Sequence, residues 1–391
     1  MKLARRVMEL TESATLAVSA KAARMKAAGV DVIGFGAGEP DFDTPEPIKQ
    51  AGIEAIRGGH THYSKPASGL VEAKSAVCAK FARDNGLSYT PAEVIVTAGG
   101  KMACYLAIQA VVDPGDEVVI PRPYWVSYPE MVKLAGGTPI FVTGPEENDY
   151  KLTPAVLESV LTDRTRMVIL CSPSNPSGVT YSPDELRVVA DVLAGRDLVV
   201  LSDEIYDRLI YDGVEHLSFA AIDDRTRAKT VTVNAASKTY AMTGWRVGFA
   251  GGPAEIIKAM ARLQSQTTSG AVTFNQHALT AALTGDQFVV ETMRQAFRER
   301  AERMYRRLTA IPGVRCPRPT GAIYCFPNVS ATYDRLGVSG SVEFADRLLE
   351  EIRVAVVPGI AFGLDAHVRL SFALSLEEMD EGLSRIEAFL R

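Results

Sequence analysis

The residues best suited to covalent chemistry lie in one stretch, Ser237-Lys238-Thr239-Tyr240-Ala241-Met242-Thr243-Gly244-Trp245-Arg246. Lys238 follows the apolar, β-branched run 230–234, which predicts a buried strand with the lysine at its carboxyl end. Ligands of open α/β sheets bind at that edge, and a desolvated lysine amine there can form a Schiff base with a carbonyl. The guanidinium of Arg246, beyond a turn at Gly244, suits a phosphate. The pair predicts a site for a phosphorylated cofactor that carries an aldehyde.

An acidic residue follows a second predicted strand. Asp203 comes directly after the apolar run 197–202, and a carboxylate at the edge of a buried strand needs a cation or a hydrogen-bond donor. The protonated nitrogen of a pyridine ring is such a partner. Tyr206, three residues later, can reach a ring hydroxyl from the same turn. The run also resembles a Walker B strand, but the chain has no G-x-x-x-x-G-K-[ST] loop to accompany one.

An amide and an aromatic ring follow two further strands. Asn175 lies in a tight turn after the run 167–171, and Pro176 holds it extended, so its side chain is expected to point outward from the strand end. Trp125 follows the predicted strand 117–121 and offers a platform for a planar ring. Taken singly, a strand-end lysine, an Asn-Pro turn and a buried tryptophan each have an ordinary structural explanation. All of them are expected at the same edge of one sheet, which favours a single cleft.

A glycine pair completes the predicted site. Gly99-Gly100-Lys101 leads from the strand 93–98 into a helix at 102–112, an arrangement that presents free backbone amides and a helix dipole to a phosphate. A second glycine-rich segment, Gly34-x-Gly36, suggests a dinucleotide fingerprint. Pro40 interrupts the place where that motif needs a helix, which excludes the dinucleotide interpretation but leaves a loop whose amides can approach a small anion.

Strands and helices alternate through the middle of the chain, which predicts a largely parallel sheet with helices on both faces. The strands are predicted at 93–98, 117–121, 138–142, 166–171, 197–202 and 230–234. The helices are predicted at 47–57, 70–85, 102–112, 128–135, 154–161 and 183–193.

Beyond Gly252 the pattern becomes helical, and a long charged helix at 287–308 leads into a second unit. That unit has predicted strands at 322–327, 354–357 and 367–373 and helices at 341–352 and 376–390. We therefore expect a fold of two domains, a large one at 46–290 and a smaller α+β one at 291–391. Residues 1–45, with a helix at 12–28 and a strand at 30–35, are expected to pack on the small domain.

Composition narrows the class of protein. The 391 residues are 47% apolar and 23% charged, which is typical of a globular enzyme or binding protein. The net charge of −5 gives no reason to expect nucleic acid or an anionic membrane as a partner. Five scattered cysteines without a C-x-x-C pair favour reduced thiols in the cytoplasm. We find no signal peptide and no run long enough to span a bilayer, so a cytoplasmic protein is expected.

These motifs together resemble the class I pyridoxal-phosphate aminotransferases of fold type I. The resemblance extends over essentially the whole chain and is strongest to the bacterial aspartate aminotransferase subgroup that also includes prephenate aminotransferases. The segments that carry it are Ser13-Ala14-Thr15, Gly36-Ala37-Gly38-Glu39-Pro40-Asp41-Phe42, Gly99-Gly100-Lys101, Tyr124-Trp125, Asn175-Pro176, Ser202-Asp203-Glu204-Ile205-Tyr206, Ser237-Lys238, Gly244-Trp245-Arg246-Val247-Gly248 and Arg369-Leu370-Ser371-Phe372.

The resemblance implies pyridoxal 5'-phosphate as cofactor, no metal, and a role for each site residue. Lys238 would form the Schiff base and move a proton. The residues expected to bind the cofactor ring are Asp203 at the nitrogen, Asn175 and Tyr206 at the ring oxygen, and Trp125 stacked on the face. Those expected at the phosphate are Arg246 and the amides of 99–101, with Ser237 as a weak ligand. Relatives often have a hydroxyl residue at the position of Ala235, and Ser237, which directly precedes the lysine, is therefore expected to be only a weak phosphate ligand.

The resemblance also implies how a substrate is bound. Arg369 would clamp the α-carboxylate, helped by the Gly38 backbone, and a planar guanidinium fork does match a carboxylate. Lys101 would take the distal carboxylate of a dicarboxylic substrate, and Thr15 accompanies activity on prephenate. Tyr63 resembles a tyrosine that a second subunit lends to the phosphate, which predicts a homodimer with sites at the interface.

The expected activity is therefore ping-pong amino transfer between L-aspartate or L-glutamate and 2-oxo acids, with oxaloacetate, 2-oxoglutarate and prephenate as acceptors. Two alternatives within the same fold are a C–S β-lyase and an aminotransferase for aromatic or other amino acids. A third alternative, a cofactor-sensing module of a transcription regulator, is disfavoured. Only about 30 residues precede the first predicted strand, too few for a DNA-binding helix-turn-helix.

Overall fold

The computed structural model describes residues 2–11, 14–211 and 213–391. Its strands are β1 (Ile33–Gly34), β2 (Val94–Thr97), β3 (Glu117–Arg122), β4 (Thr138–Thr143), β5 (Thr165–Cys171), β6 (Val199–Asp203), β7 (Thr230–Ala235), β8 (Gly248–Gly251), β9 (Tyr324–Cys325), β10 (Val354–Ala355), β11 (Val357–Pro358) and β12 (Val368–Ser371).

Its α-helices are α1 (Arg5–Met8), α2 (Ala14–Ala27), α3 (Glu46–Arg57), α4 (Val71–Asn85), α5 (Gly100–Val111), α6 (Ser127–Leu134), α7 (Pro154–Glu158), α8 (Pro183–Leu193), α9 (Asp224–Arg227), α10 (Ala236–Thr239), α11 (Ala254–Thr267), α12 (Thr273–Thr284), α13 (Phe288–Thr309), α14 (Tyr333–Leu336), α15 (Ser341–Ile352) and α16 (Leu376–Leu390). No helix among the described residues is both long enough and apolar enough to cross a bilayer.

Seven of the described strands form the main sheet, in the order β2-β8-β7-β6-β5-β3-β4. β8 is antiparallel to both of its neighbours, and the other paired strands of this sheet are parallel. Every residue of β6 and β7 is buried, as expected for strands covered by helices on both faces. The α/β architecture of fold type I, with a mixed and mostly parallel sheet flanked by helices, is therefore confirmed.

Strand β8 is absent from the sequence-based prediction, because its sequence Gly-Phe-Ala-Gly has low strand propensity. Close packing explains the composition. A Cβ atom on Gly248 would clash with the amide nitrogen of Gly100, and one on Gly251 would lie 2.5 Å from the Tyr89 ring. The strand therefore needs glycine where its neighbours approach most closely.

The C-terminal part of the chain forms smaller sheets. β9, β12 and β11 are antiparallel, whereas β1 of the N-terminal segment pairs in parallel with β10. Phe35, next to β1, is fully buried in a core that also contains Phe297 of α13 and Leu383 of α16. The N-terminal segment thus packs against the C-terminal part of the chain. The domain boundaries at 45/46 and 290/291 stay a prediction.

The predicted helices 341–352 and 376–390 are confirmed residue for residue. The predicted strand 354–357 is wrong as a single strand. It is divided into two short strands, because its first residues pair with one strand and its last residue pairs with another. β10 pairs with β1, and β11 pairs with β12. The predicted strands 30–35 and 322–327 are also shorter, as only Ile33–Gly34 and Tyr324–Cys325 join a ladder.

The topology gathers several loops at one edge of the main sheet. β2, β3, β5, β6 and β7 run in the same direction, so the segments that follow them meet at their shared carboxyl edge. β8 runs the opposite way, and its first residue is paired with Thr97 and Ala235 at that same edge. Arg246, two residues before β8, is therefore brought beside the residues that follow β2 and β7.

Candidate active site

A cavity of about 720 Å³ opens at this carboxyl edge. It is lined by most of the residues that the sequence singled out, namely Gly38, Gly100, Lys101, Trp125, Asn175, Asp203, Tyr206, Ser237, Lys238, Arg246 and Arg369. Gly99 adjoins it through contact with Arg246. Tyr63 lies apart from the lining, with 80% of its surface exposed. The side chain of Thr15 lies outside the described residues.

Lys238 lies in α10, the short helix that directly follows β7. Its amine donates a hydrogen bond to the backbone oxygen of Gly38 and lies 6.0 Å from the centre of the Tyr206 ring. Burial lowers the pKa of Lys238 to about 8, the Glu39 carboxylate opposes that shift, and the cations Arg369 and Arg246 add to it. At pH 7 about a tenth of the amine is therefore uncharged and nucleophilic, far more than for an ordinary lysine.

Asp203 ends β6 and is buried. Its Oδ2 accepts a hydrogen bond from the Tyr128 hydroxyl at 2.7 Å and lies 3.6 Å from the Cys104 thiol, while its Oδ1 accepts from the Ile205 amide at 3.3 Å. Burial raises the pKa of Asp203, and the hydrogen bond from Tyr128 opposes that shift. Within the described residues these partners are donors rather than cations, so the carboxylate can pair with a cationic ligand atom.

The phosphate end of the predicted site combines Arg246 with the start of α5. Gly99 has φ +90°, and a Cβ there would lie 2.6 Å from Arg246 Nη2, so only glycine allows this approach. Among the described residues no side chain caps the amino end of α5, which leaves the first amides of the helix for an anion. Ser237 is buried at the cavity wall. These groups form an anion cradle of one exposed cation and several backbone amides.

Arg369, on β12, also lines the cavity and is only 2% exposed. It donates hydrogen bonds of 3.0 Å to the side-chain oxygen of Asn175 and to the backbone oxygen of Gly36. Its guanidinium carbon lies 4.4 Å from the centre of the Tyr324 ring. Its Nε is buried and has no hydrogen-bond partner among the described residues. A ligand oxygen in the cavity could satisfy this donor.

Aromatic side chains line the rest of the cavity. Trp125 is half-buried, and the Lys101 ammonium lies 5.0 Å from the centre of its ring. Burial and the nearby Arg246 cation lower the pKa of Lys101. The hydroxyl of Tyr206 shares a 2.8 Å hydrogen bond with that of Tyr324. The predicted aromatic platform and the predicted ring-hydroxyl partner thus face the same space as Lys238.

Three residues of this site are missing from the sequence-based prediction: Tyr128, Glu39 and Tyr324. Tyr128 lies three residues after Trp125, a helical spacing that could have drawn attention to it. Glu39 accepts a 2.6 Å hydrogen bond from the Thr243 hydroxyl, a partner far away in the sequence. Tyr324 lies on a short strand of the C-terminal sheet, and nothing in its local sequence indicates that it faces the cavity.

Together the cavity provides an amine, a buried carboxylate, an anion cradle, an aromatic face and a buried guanidinium. An aldehyde, a protonated ring nitrogen, a phosphate, a planar ring and a carboxylate are the matching groups. The arrangement therefore fits both a phosphorylated pyridine aldehyde and an amino or oxo acid in the same cavity.

Comparisons with known proteins point in the same direction. Residues 30–386 match the family described as aminotransferase class I and II. The chain is 50% identical over 390 residues to an aspartate aminotransferase of Geobacillus stearothermophilus, covering 100% of this chain and 99% of the relative. It is 46% identical over 383 residues to an aspartate/prephenate aminotransferase of Cereibacter sphaeroides, covering 96% of each. The aspartate aminotransferase of Thermus thermophilus solved with maleate superimposes with a TM-score of 0.94 at 43% identity, covering 100% of both chains.

Proposed function

The chain belongs to the class I and II aminotransferases, and from that premise we propose that it moves an amino group between L-aspartate or L-glutamate and 2-oxo acids. Its cofactor is pyridoxal 5'-phosphate. The observation that carries the proposal is that one cavity holds a lysine amine of lowered pKa, a buried carboxylate, and a buried guanidinium with an unpaired nitrogen.

The residues present fit pyridoxal phosphate. Asp203 is a buried carboxylate without a cationic partner among the described residues, and it would hold the ring nitrogen. The uncapped start of α5 and Arg246 would hold the phosphate. Asn175 and Tyr206 would bind the ring oxygen, and Trp125 would cover the ring. When bound, the cofactor supplies an aldehyde that accepts the amino group and a ring that stabilises negative charge on the donor's Cα.

The chain's own residues provide the rest of the reaction. The uncharged amine of Lys238 would remove the proton from the donor's Cα and would donate it to the cofactor carbon that receives the amino group. Asp203 would stabilise a proton on the ring nitrogen, because its buried carboxylate accepts hydrogen bonds from the Tyr128 hydroxyl and the Ile205 amide but has no cationic partner among the described residues. Arg369 binds the α-carboxylate through its fork and orients Cα toward Lys238, and the Gly38 backbone contributes on the facing side. The donor product leaves before the acceptor binds, which makes the reaction ping-pong.

Lys101 is the residue we assign to the second carboxylate of a dicarboxylic substrate. It lies on the first turn of α5 and lines the cavity together with Trp125. The Thermus thermophilus enzyme was solved with maleate, which is itself a dicarboxylate, and the relative from Cereibacter sphaeroides is named for prephenate as well as aspartate. We therefore include oxaloacetate, 2-oxoglutarate and prephenate among the acceptors, with Thr15 assigned to prephenate.

We also propose that the enzyme is a homodimer. Apolar side chains are exposed on neighbouring elements, including Ile53 and Ile56 of α3, Tyr63 and Val272. The Thr273 hydroxyl donates a 2.6 Å hydrogen bond to the backbone oxygen of residue 62, which keeps Tyr63 beside the start of α12. A second subunit that covers this surface would bury these side chains and bring Tyr63 to the partner's phosphate site.

The test is the visible absorbance of the purified enzyme loaded with cofactor, before and after addition of L-aspartate. We expect the yellow band to bleach with aspartate or glutamate, and to return with oxaloacetate, 2-oxoglutarate or prephenate. Lys238→Ala is the control and should show neither change. A yellow protein that aspartate leaves unchanged would contradict the proposed donor and favour aromatic amino acids. Release of pyruvate, ammonia and homocysteine from cystathionine would instead indicate a C–S lyase.

A further inference from the structure

Tyr128 contacts two residues of the site without belonging to the predicted set. It is 1% exposed and lies between the main cavity and a small cavity of about 40 Å³, lining both. Its hydroxyl donates a 2.7 Å hydrogen bond to Asp203 Oδ2. Its ring meets the Trp125 ring edge to face, with centres 5.2 Å apart and an angle of 85°. A single buried side chain thus contacts both the carboxylate and the aromatic platform.

Among the described residues, the other hydrogen-bond donors to the Asp203 carboxylate are longer or weaker than Tyr128. The Ile205 amide is 3.3 Å from Oδ1, and the Cys104 thiol, a weak donor, is 3.6 Å from Oδ2. The Tyr128 hydroxyl is therefore the shortest and strongest contact that the carboxylate makes among the described residues. Because the Ile205 amide binds one oxygen and the Tyr128 hydroxyl the other, the pair fixes the plane of the carboxylate.

Tyr128 is also rigid itself. It lies in the first turn of α6, and its amide donates a 3.0 Å hydrogen bond to the backbone oxygen of Trp125. The small cavity behind it is lined by buried neighbours from β3 and β5, including Ile120 and Ile169, so the ring has packed walls rather than solvent at its back. A donor that cannot rotate away imposes its direction on the acceptor.

We propose that Tyr128 is a positioning residue for amino transfer: its hydroxyl orients the Asp203 carboxylate toward the ring nitrogen of the cofactor, while its ring sets the plane of Trp125. This inference rests on the proposed function, since it concerns the same cofactor. Tyr128 acts through Asp203 and Trp125 and does not touch the reacting atoms. The effect of its hydroxyl must therefore depend on the presence of a nitrogen in the cofactor ring.

This dependence can be tested by comparing a cofactor that has the ring nitrogen with one that lacks it. Tyr128→Phe removes only the hydroxyl and keeps the ring against Trp125. We would measure the dissociation constants of pyridoxal phosphate and of its analogue in which the ring nitrogen is replaced by C–H. We expect Tyr128→Phe to weaken binding of pyridoxal phosphate about tenfold or more, because a hydrogen bond to a buried charge is lost, and to leave binding of the analogue nearly unchanged.

Matched controls separate positioning from general stability. Tyr211→Phe removes another buried tyrosine hydroxyl, which donates to the backbone oxygen of Ala322 away from the cavity lining, and should change neither constant. In an Asp203→Asn background, Tyr128→Phe should add little further loss, because the two residues act as a unit. Tyr128→His, which keeps a ring and a donor, should recover part of the affinity.

The outcomes are distinguishable. Equal weakening of both compounds by Tyr128→Phe, or no weakening of either, would overturn the inference while leaving the proposed function intact. Should Tyr128→Phe fail to fold, Tyr128→His compared in the two Asp203 backgrounds decides the question, and additive losses would reject it. Failure of the unsubstituted protein to bind either compound would overturn the proposed function and this inference with it.

Discussion

The guanidinium of Arg369 donates a 3.0 Å hydrogen bond to the side-chain oxygen of Asn175. This contact connects β12, in the C-terminal part of the chain, to the turn after β5 in the main sheet. The group expected to bind the substrate is thereby held by a residue expected to bind the cofactor ring. Because the two Nη atoms are held by Asn175 and by the backbone oxygen of Gly36, the arginine is oriented before a carboxylate arrives.

Arg369→Lys should lower kcat/KM for aspartate by about 100-fold or more, since a lysine keeps the charge but cannot make the two-pronged contact or the stack on Tyr324. Steady-state kinetics would measure the loss. The dissociation constant of pyridoxal phosphate serves as the control and should stay nearly constant. An unchanged kcat/KM would show that another cation binds the α-carboxylate.

The reactivity of Lys238 should depend on pH with a midpoint near 8, the value to which burial lowers its pKa. Only the uncharged amine attacks an aldehyde, so the rate of cofactor capture by the apoenzyme should rise about tenfold per pH unit below the midpoint and level off above it. Glu39→Gln removes a carboxylate that raises the pKa of Lys238, and should move the midpoint to lower pH. Stopped-flow absorbance would follow the capture, and a midpoint that Glu39→Gln leaves unmoved would contradict this account.

Gly99→Ala should impair cofactor binding more than it impairs folding. Its φ of +90° disfavours any other residue, and the new methyl group would displace the Arg246 guanidinium, whose Nη2 lies 2.6 Å from the position that the added Cβ would take. We expect the dissociation constant of pyridoxal phosphate to rise at least about tenfold. Gly29→Ala is a matched control, because Gly29 also has positive φ, but no atom of the described residues lies within 4 Å of the position that a Cβ would take. Equal effects of the two substitutions would show that backbone strain alone matters.

Much of this site could be predicted because each residue follows an apolar run. Lys238, Asp203 and Asn175 come directly after or shortly after buried strands, and parallel neighbours bring their carboxyl ends together. The position of Arg246 is harder to predict, since it depends on β8 running against its neighbours. That strand is rich in glycine for reasons of packing, which a propensity argument cannot anticipate.

Other features depend on contacts between distant parts of the chain. The helix that contains Lys80 is predictable at 70–85, but its sequence does not reveal that the amine is buried against Asp207. The same holds for the hydrogen bond between Tyr128 and Asp203, which joins two elements that are separate in the sequence. Periodicity identifies a buried face, whereas only the packed structure shows which polar groups meet inside it.

The ion pair between Lys80 and Asp207 should contribute to stability, with both side chains at most 2% exposed. Lys80→Met leaves the carboxylate buried without its cation and should lower the free energy of unfolding by about 3–5 kcal/mol at neutral pH. Burial acts to raise the pKa of Asp207, but the charges of Lys80 and His216 and the hydrogen bonds from Lys80 and Asn234 together outweigh burial, so the net shift is downward. Stability from this depressed pKa is present above the unfolded value and is lost as pH falls through the folded one.

The same substitution therefore has a predictable pH dependence. Without Lys80, burial raises the pKa of Asp207, so protonation relieves the penalty and the deficit of Lys80→Met should shrink as the pH is lowered toward the acid range. Denaturant unfolding of the apoenzyme at several pH values would measure it. Adding Asp207→Asn should recover part of the loss at neutral pH. A deficit that is constant with pH would indicate lost packing rather than an unpaired charge.

A substitution of Lys101 can test whether this residue binds the distal carboxylate of a dicarboxylic substrate. Lys101→Met removes the ammonium while keeping a long side chain beside Trp125, so it should lower kcat/KM for aspartate by about tenfold or more and leave phenylalanine, which has no second carboxylate, much less affected. The ratio of the two constants is the measurement, because it cancels any general damage to the site. Lys26, an exposed lysine that also lines the cavity from α2, offers the control Lys26→Met, for which the ratio should stay unchanged. Lys101→Met could instead lower kcat/KM for aspartate and for phenylalanine equally. The lysine would then act on the cofactor end of the site through its position at the start of α5. The second carboxylate of the substrate would then need another partner.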